Sequence, residues 1–215
     1  MKNHFSKYIT AFAVIMLFLI GCSSKEDKAN KLINERMSKT LYDYASYDPI
    51  ETTVTEAKAT MFNDTSCWKS GAILAASMKV GLKYAKEMEE AKEHMEIWGP
   101  PSYYSSSYSD NKYYKYKSEY EDAANSFMST HEICKTIAES LHEKITNLDE
   151  NSVIGWEVSH KFRCKTKGGY STIGNYRFVI DKDFKSILID EDIDDEDNQF
   201  IRSAIETVLT DYWSK

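Results

Sequence analysis

The sequence predicts an α+β fold, in which a long antiparallel helical hairpin is combined with a small antiparallel β-meander covered by a C-terminal helix. Three patterns support this prediction. Apolar residues recur at helical spacing across residues 31–150, strict alternation follows after Asn151, and helical spacing returns near the C-terminus. The 215 residues are 42% hydrophobic with 3 prolines, which is typical of a folded domain. We expect one domain over residues 31–215, with its helical part in 31–150 and its sheet and final helix in 151–215.

The first part of this domain should contain one helix and one strand. Apolar residues keep helical spacing from about Asp27 to Tyr44, and Pro49 then excludes further helix, because the residue before a proline disfavours helical geometry. Residues 50–60 are rich in threonine and contain valine, a composition typical of an edge strand.

Two long helices are expected next. Asp64 or Thr65 can cap the first, which should end at the Trp-Gly-Pro-Pro segment 98–101. The serine- and tyrosine-rich residues 102–109 favour a loop, so the second helix should begin near Asp110. Because each helix has one apolar face, the two should pack against each other as an antiparallel hairpin.

Alternation of apolar and polar residues predicts the sheet. The inward positions of its first long strand are Trp156, Val158, His160, Phe162 and Cys164. We expect His160, the polar exception, to be a hydrogen-bonded core residue. Residues 167–169 and 181–183 should form turns, and a final helix should run from about Glu196 to Trp213.

The N-terminus has the layout of a secretory signal. Basic residues and an apolar run from Ile9 to Ile20 precede Cys22, and this run is shorter than the ~20 residues needed to span a membrane. The segment Leu19-Ile20-Gly21-Cys22 resembles the lipobox of bacterial lipoproteins. This resemblance implies that residues 1–21 are a signal peptide and that Cys22 becomes the lipidated first residue, with palmitate among its acyl chains.

The same resemblance implies a location in the cell envelope, with the lipid bilayer as a partner through the Cys22 anchor. Ser23 stands where inner-membrane lipoproteins usually carry aspartate, so we expect the outer membrane, with the protein facing the periplasm or the cell surface. Residues 24–27 (Ser-Lys-Glu-Asp) are similar to export tags of surface lipoproteins, or they belong to a solvated tether over residues 22–30.

A second resemblance covers about half of the remaining chain. The segments Tyr47-Asp48-Pro49-Ile50, 155–165 and Gly168-Gly169 are similar to segments of a family of small uncharacterised bacterial lipoproteins. This resemblance implies a fold and no chemistry.

Three cysteines remain beside the predicted lipidation site: Cys67, Cys134 and Cys164. All lie on apolar faces, so they can be buried core residues, or two of them can form a disulfide in an oxidising compartment. A tight turn at Pro100-Pro101 would bring Cys67 and Cys134 level. A helix start at Asp110 would instead offset them by about 10 Å, too far to bridge, and Cys164 could then pair with either. A zinc site with His131 or His142 is poorly supported, because these histidines lie ~16 Å apart along one helix.

Three short motifs resemble those of serine β-lactamases and penicillin-binding proteins. Ser66-Cys67-Trp68-Lys69 matches S-x-x-K, Ser109-Asp110-Asn111 matches S-D-N, and Lys165-Thr166-Lys167-Gly168 nearly matches K-T-G. In that interpretation Ser66 is the nucleophile and Lys69 activates it. The third motif contains an inserted lysine, so we keep an acyl-transfer enzyme as a remote alternative. No catalytic residue and no cofactor are otherwise expected.

Residues 190–197 contain seven acids in eight positions, which suggests calcium binding. An EF-hand loop needs glycine at its sixth position and glutamate at its twelfth, where this sequence has Asp195 and Ile201. We expect these acids to cap the final helix and to interact with its dipole, and we predict no metal site.

Two surfaces are candidates for binding. The first is a basic stripe on the outer face of the sheet, suited to an anionic ligand or an acidic partner, formed by Lys161, Arg163, Lys165 and, if the registers align, Arg177. The second is a tyrosine-rich region of adaptable contact surface that includes Tyr103, Tyr104 and Tyr108.

The net charge of −7 argues against nucleic acid as a partner, because binding to phosphates requires a basic excess. We therefore expect a lipid-anchored, non-enzymatic binding or interaction protein. The alternative is an immunity or inhibitor lipoprotein that uses its acidic surface against a basic toxin.

Overall fold

The structure is a computed structural model and describes residues 24–210. The predicted signal peptide 1–21 and the predicted lipidation site Cys22 lie outside these residues. The final helix ends at Thr207 and not near Trp213 as the spacing predicts, because the chain leaves helical geometry in a turn over residues 208–210. In chain order the elements are α1 (Lys25–Thr40), β1 (Asp43–Lys58), α2 (Thr65–Trp98), α3 (Ser107–Thr146), β2 (Val153–Lys165), β3 (Ser171–Asp181), β4 (Ile187–Asp192) and α4 (Glu196–Thr207). The α+β prediction, with its helical hairpin, antiparallel sheet and C-terminal helix, is confirmed.

The described chain divides into two compact units. The sheet unit comprises residues 24–56 and 155–190, and the hairpin unit comprises residues 57–154 and 191–210. The chain passes from one unit to the other within strands β1, β2 and β4.

The sheet unit is built on a four-stranded antiparallel sheet in the order β1-β2-β3-β4. Strands β2 and β3 pair so that Trp156 lies opposite Ile180 and His160 lies opposite Tyr176. As the alternation predicts, one face of β2 is buried. Helix α1 supplies the other side of this core, whose buried members are Ala29, Ile33, Met37, Val158, Phe162, Cys164, Phe178 and Ile180.

Helix α1 begins earlier and ends earlier than the sequence spacing predicts. Ser24 and Asp27 form a capping box in which each side chain accepts a backbone N–H of the other residue at 3.0 Å. The predicted tether over residues 22–30 is therefore helical from Lys25 onward. The helix ends at Thr40 instead of Tyr44, because the chain turns and enters β1 at Asp43.

Strand β1 is longer than the predicted segment 50–60, and it is an edge strand as expected. It includes Pro49, which has no N–H to donate. An edge strand tolerates such a residue because one of its two sides makes no hydrogen bonds to a neighbouring strand.

The hairpin unit consists mainly of α2 and α3, which pack along each other. Asp64 caps α2 as predicted, accepting the N–H groups of Ser66 and Cys67 at 2.9 Å. Helix α3 begins at Ser107 and not at Asp110, because the Ser106 side chain accepts the Ser109 N–H and caps the helix.

Helix α4 packs against α2 and completes the core of this unit. The buried apolar members of that core are Cys67, Leu74, Ala75, Cys134, Ala138, Leu141, Ala204, Ile205 and Val208. A Cβ atom built on Gly71 would clash with the Ile205 side chain, so the glycine permits this close approach of α2 and α4. Among the helices within residues 24–210, none is both long enough and apolar enough to cross a membrane.

Candidate functional site

The tyrosine loop, defined as residues 99–106 between α2 and α3, presents aromatic rings to solvent. Tyr103 and Tyr104 are each 94% exposed, and their ring centroids lie 5.3 Å apart in an edge-to-face arrangement. Tyr108 in the first turn of α3 is 61% exposed and packs edge-on against Trp98, with centroids 5.6 Å apart. The three tyrosines singled out in the sequence are thus collected at one end of the helical hairpin.

Hydrogen bonds hold the tyrosine loop in place. The Ser105 hydroxyl accepts the Ser102 N–H at 2.9 Å and lies 2.7 Å from the Ser102 carbonyl and 2.5 Å from the Asp110 carboxylate. At its start, Gly99 ends α2 with φ of +63°, a backbone conformation that favours glycine. An ordered loop loses less conformational entropy when it binds, so these exposed rings form a preorganised contact surface.

The basic stripe is only partly available. Lys161, Arg163 and Lys165 are exposed on β2, and the Arg163 guanidinium lies 3.7 Å from the Asp48 carboxylate. Arg177 lies opposite Ser159, so the registers do align it with the stripe.

Arg177 is nevertheless only 7% exposed, and its guanidinium lies 3.9 Å from the Glu157 carboxylate. It cannot contribute to a ligand-binding surface as predicted, because it is buried and ion-paired. The stripe keeps three exposed cations, one of them close to an acid.

His160 lies at the centre of a buried polar network in the sheet unit. It is 1% exposed, its Nε2 lies 2.7 Å from the Tyr47 hydroxyl and its Nδ1 lies 2.9 Å from the Thr52 hydroxyl. Thr52 donates its proton to Asn30 Oδ1 at 2.9 Å. The Thr52 oxygen therefore accepts from Nδ1–H, and Nε2 accepts from Tyr47.

The network keeps His160 neutral. Burial lowers the pKa of His160 to about 4 and raises the pKa of Tyr47 to about 12. Both ring nitrogens are already hydrogen-bonded, so no lone pair of the imidazole is left for a substrate. The expectation of a hydrogen-bonded core histidine is confirmed.

The cysteines on apolar faces are buried free thiols: Cys67, Cys134 and Cys164. Burial raises the pKa of Cys67 to about 11, with a further contribution from the Asp64 charge. Burial also raises the pKa of Cys134 and of Cys164. Because the thiolate is the reactive form, these thiols are poor nucleophiles, and the interpretation as core residues is confirmed.

The S-x-x-K motif does not form a catalytic arrangement with S-D-N. The Ser66 hydroxyl donates to the capping carboxylate of Asp64 at 2.6 Å. Ser66 lies in the first turn of α2, whereas Ser109 lies in the first turn of α3, beyond the far end of α2. At 1.5 Å per residue, the length of α2 separates the two serines by about 50 Å.

The acidic segment 190–197 caps α4, as expected. The Asp195 side chain accepts the Asn198 N–H at 3.0 Å. Glu191 has a different role, because it is buried and pairs with Arg202, whose Nη2 lies 2.8 Å from Glu191 Oε2. The Arg202 guanidinium also lies over the Phe62 ring, 4.6 Å from its centroid.

Within the described part of the chain, no group of three or more His, Cys, Asp or Glu side chains could hold a metal ion.

The sequence patterns do not reveal one further feature of the hairpin unit, a cleft of about 480 Å³ between α2 and α3. Its floor includes Ala91 and Ala123, both buried. These small residues interrupt apolar faces made mostly of larger side chains, which is the signal that could have indicated a gap between the helices.

Comparisons of this chain with protein-family models, with curated proteins and with solved structures found no match.

Proposed function

We propose that this protein is a lipid-anchored lipoprotein of the cell envelope that binds a partner protein through its tyrosine loop and has no catalytic activity. The lipobox resemblance at residues 19–22 supports the anchor. The observation that carries the binding role is the near-complete exposure of Tyr103 and Tyr104 on an ordered loop.

The chemistry of the loop fits a protein surface as its target. Tyrosine side chains supply a large apolar face and a hydroxyl group while losing little conformational freedom, and serine adds adaptable hydrogen bonding. The loop is short and closed by the pair of residues Ser102 and Ser105, so the rings are displayed before any partner arrives. The basic stripe is a weaker candidate, because Arg177 is buried and Arg163 lies near Asp48.

A capture experiment with matched variants tests the binding role. The full-length protein is used to retain partners from its own cell envelope, with Tyr103→Ser/Tyr104→Ser as the test variant. Tyr170→Ser is the control, because Tyr170 is also strongly exposed but lies in the β2–β3 turn. We expect the wild type and the control to retain the same partner and the test variant to lose it.

Two results would contradict this role. Retention of the same partner by the test variant would exclude the tyrosine loop. Loss of the partner in a Lys161→Glu variant alone would assign binding to the basic stripe.

The anchor is tested separately by intact-mass analysis, in which wild type should carry acyl chains at Cys22 and Cys22→Ser should not.

A further inference from the structure

The cleft between α2 and α3 is an amphipathic pocket within the hairpin unit. Its floor is apolar, formed in part by Ala91 and Ala123. Four carboxylates line it, two from each helix: Glu87 and Glu90 from α2, Glu119 and Asp122 from α3. Its volume of about 480 Å³ is within the range of small-molecule sites, roughly 300–1,000 Å³.

Aromatic rings complete the wall. His94 and Tyr116 stack across the two helices, with ring centroids 4.3 Å apart and planes inclined by 16°. Tyr84 lies further along the same cleft and also borders a second hollow of about 330 Å³, so the space continues along the hairpin. An aromatic face attracts a cation through its quadrupole, in addition to the charge attraction of the carboxylates.

Two lysines of the protein place ammonium groups beside the aromatic rings and carboxylates of the cleft. Lys115 Nζ lies 5.2 Å from the Tyr116 ring centroid and 3.5 Å from the Glu119 carboxylate. Lys83 Nζ lies 6.0 Å from the Tyr84 ring centroid and 3.6 Å from the Glu87 carboxylate. In both cases a primary ammonium group lies near an aromatic ring and a carboxylate that line the cleft.

These lysine pairs leave the carboxylates accessible to a competitor. Each pair joins residues four positions apart on a helix surface. Such exposed pairs contribute only about 0.3–0.5 kcal/mol to the stability of the fold. A ligand with several ammonium groups can therefore displace the lysine side chains, while its methylene groups cover the alanine floor. A metal ion does not fit the cleft as a ligand, because no group of three or more His, Cys, Asp or Glu side chains among residues 24–210 could hold one.

From these observations we propose that the cleft is a binding site for a small aliphatic polyamine. The site is independent of the tyrosine loop and of partner capture. Ammonium groups at the ends of the ligand bind the carboxylates of the two helices, and one ammonium group lies against the His94–Tyr116 pair.

Titration of spermidine into the full-length protein in detergent, at physiological ionic strength, tests the proposal. A Glu90→Gln/Glu119→Gln variant should weaken binding at least about tenfold, a loss of about 1.4 kcal/mol or more. Glu93→Gln is the control for charge, because Glu93 is on α2 and exposed but outside the cleft lining. It should change the affinity by less than about twofold.

A second pair of variants moves the affinity in the opposite direction. Lys115→Gln removes one internal competitor and should strengthen spermidine binding about twofold. Lys92→Gln removes the same charge from α2 and should have a smaller effect, because Lys92 does not line the cleft. Equal strengthening by both variants would indicate general electrostatics and would overturn the proposal.

Three other outcomes would overturn it as well. One is the absence of spermidine binding by the wild type. Another is equal competition by magnesium, which would indicate unspecific cation binding. The third is binding of an oligolysine peptide through Glu90 and Glu119 without binding of spermidine, which would assign the cleft to a protein partner.

Discussion

The sheet unit and the hairpin unit bury polar side chains in opposite ways. In the sheet unit, His160 is uncharged and satisfies both ring nitrogens through Tyr47 and Thr52. In the hairpin unit, Glu191 is buried beside Arg202, so two formal charges compensate each other. The His160 network depends on a neutral imidazole, which acid can protonate. The Glu191–Arg202 pair depends on the presence of both charges.

The two units are therefore sensitive to different changes. A neutral hydrogen-bonded network tolerates salt but is weakened when the imidazole must accept a proton. A buried ion pair is weakened when one partner is removed, because the charge of the other partner is then less well compensated in an apolar environment. Changes to these residues therefore test the comparison directly, and the expected loss of stability is largest at the buried ion pair.

The largest effect is expected from Arg202→Met in the hairpin unit. This change removes the Arg202 guanidinium from the buried Glu191 carboxylate, and the free energy of unfolding should fall by about 3–5 kcal/mol. Urea denaturation measures the change. The control is Lys79→Met, which removes an exposed pair with Asp197 and should cost about 1 kcal/mol or less. Equal losses in both variants would contradict the buried-pair interpretation.

The second effect is a pH dependence that arises in the sheet unit. The folded-state pKa of His160 is about 4, below its ordinary value of 6.5, so the unfolded chain binds the proton more readily. Stability is then complete above about pH 6.5 and decreases as the pH falls toward 4, by about 2–3 kcal/mol in total.

The measurement compares wild type with His160→Gln by urea denaturation from pH 7 to 4.5, where most carboxylates stay ionised. Wild type should lose stability over this range, and the variant should be nearly flat. Amide exchange should show the loss first in β2. An identical slope in the two proteins would mean that His160 is not the titrating group.

Two glycine-to-alanine substitutions in α2 should change the free energy of unfolding in opposite directions. Gly71→Ala brings a Cβ against the Ile205 side chain and should destabilise the protein by about 1–3 kcal/mol. Gly81→Ala on the same helix meets only the Thr130 methyl group at 3.6 Å and should stabilise by about 0.5–1 kcal/mol. Thermal denaturation measures both, and a change of the same sign in the two variants would contradict the predicted difference.

The smallest effect on stability is expected at the tyrosine loop. Tyr103→Ser/Tyr104→Ser removes two nearly fully exposed rings and should change the free energy of unfolding by less than about 0.5 kcal/mol. Circular dichroism melting measures this. A larger loss would show that the rings support the hairpin, and the capture experiment would then need a milder substitution such as Tyr→Phe.

Local patterns in the sequence predict most of the elements. Alternation places His160 on the buried face, and Asp64 and Asp195 are recognisable as helix caps. The capping box of Ser24 and Asp27 is also a local signal, although the charged residues around it are equally typical of a solvated tether.

The candidate sites are less predictable, because they depend on residues far apart in the chain. Tyr47 and Thr52 are more than 100 positions from His160, and no spacing rule connects them. The cleft depends on how α2 and α3 are aligned, which the apolar faces do not specify. The burial of Glu191 is hard to predict because it lies in an acidic run. Its one local signal is that it stands two positions after the buried Ile189 in β4.

Pro49 has a consequence for behaviour at high concentration. An exposed strand edge can recruit another molecule and begin fibril growth, and β1 is a long edge strand. Pro49 interrupts its row of backbone donors, and the opposite edge, β4, is short and carries Asp190 and Asp192. We therefore expect both borders of the sheet to be poor templates for intermolecular strand addition.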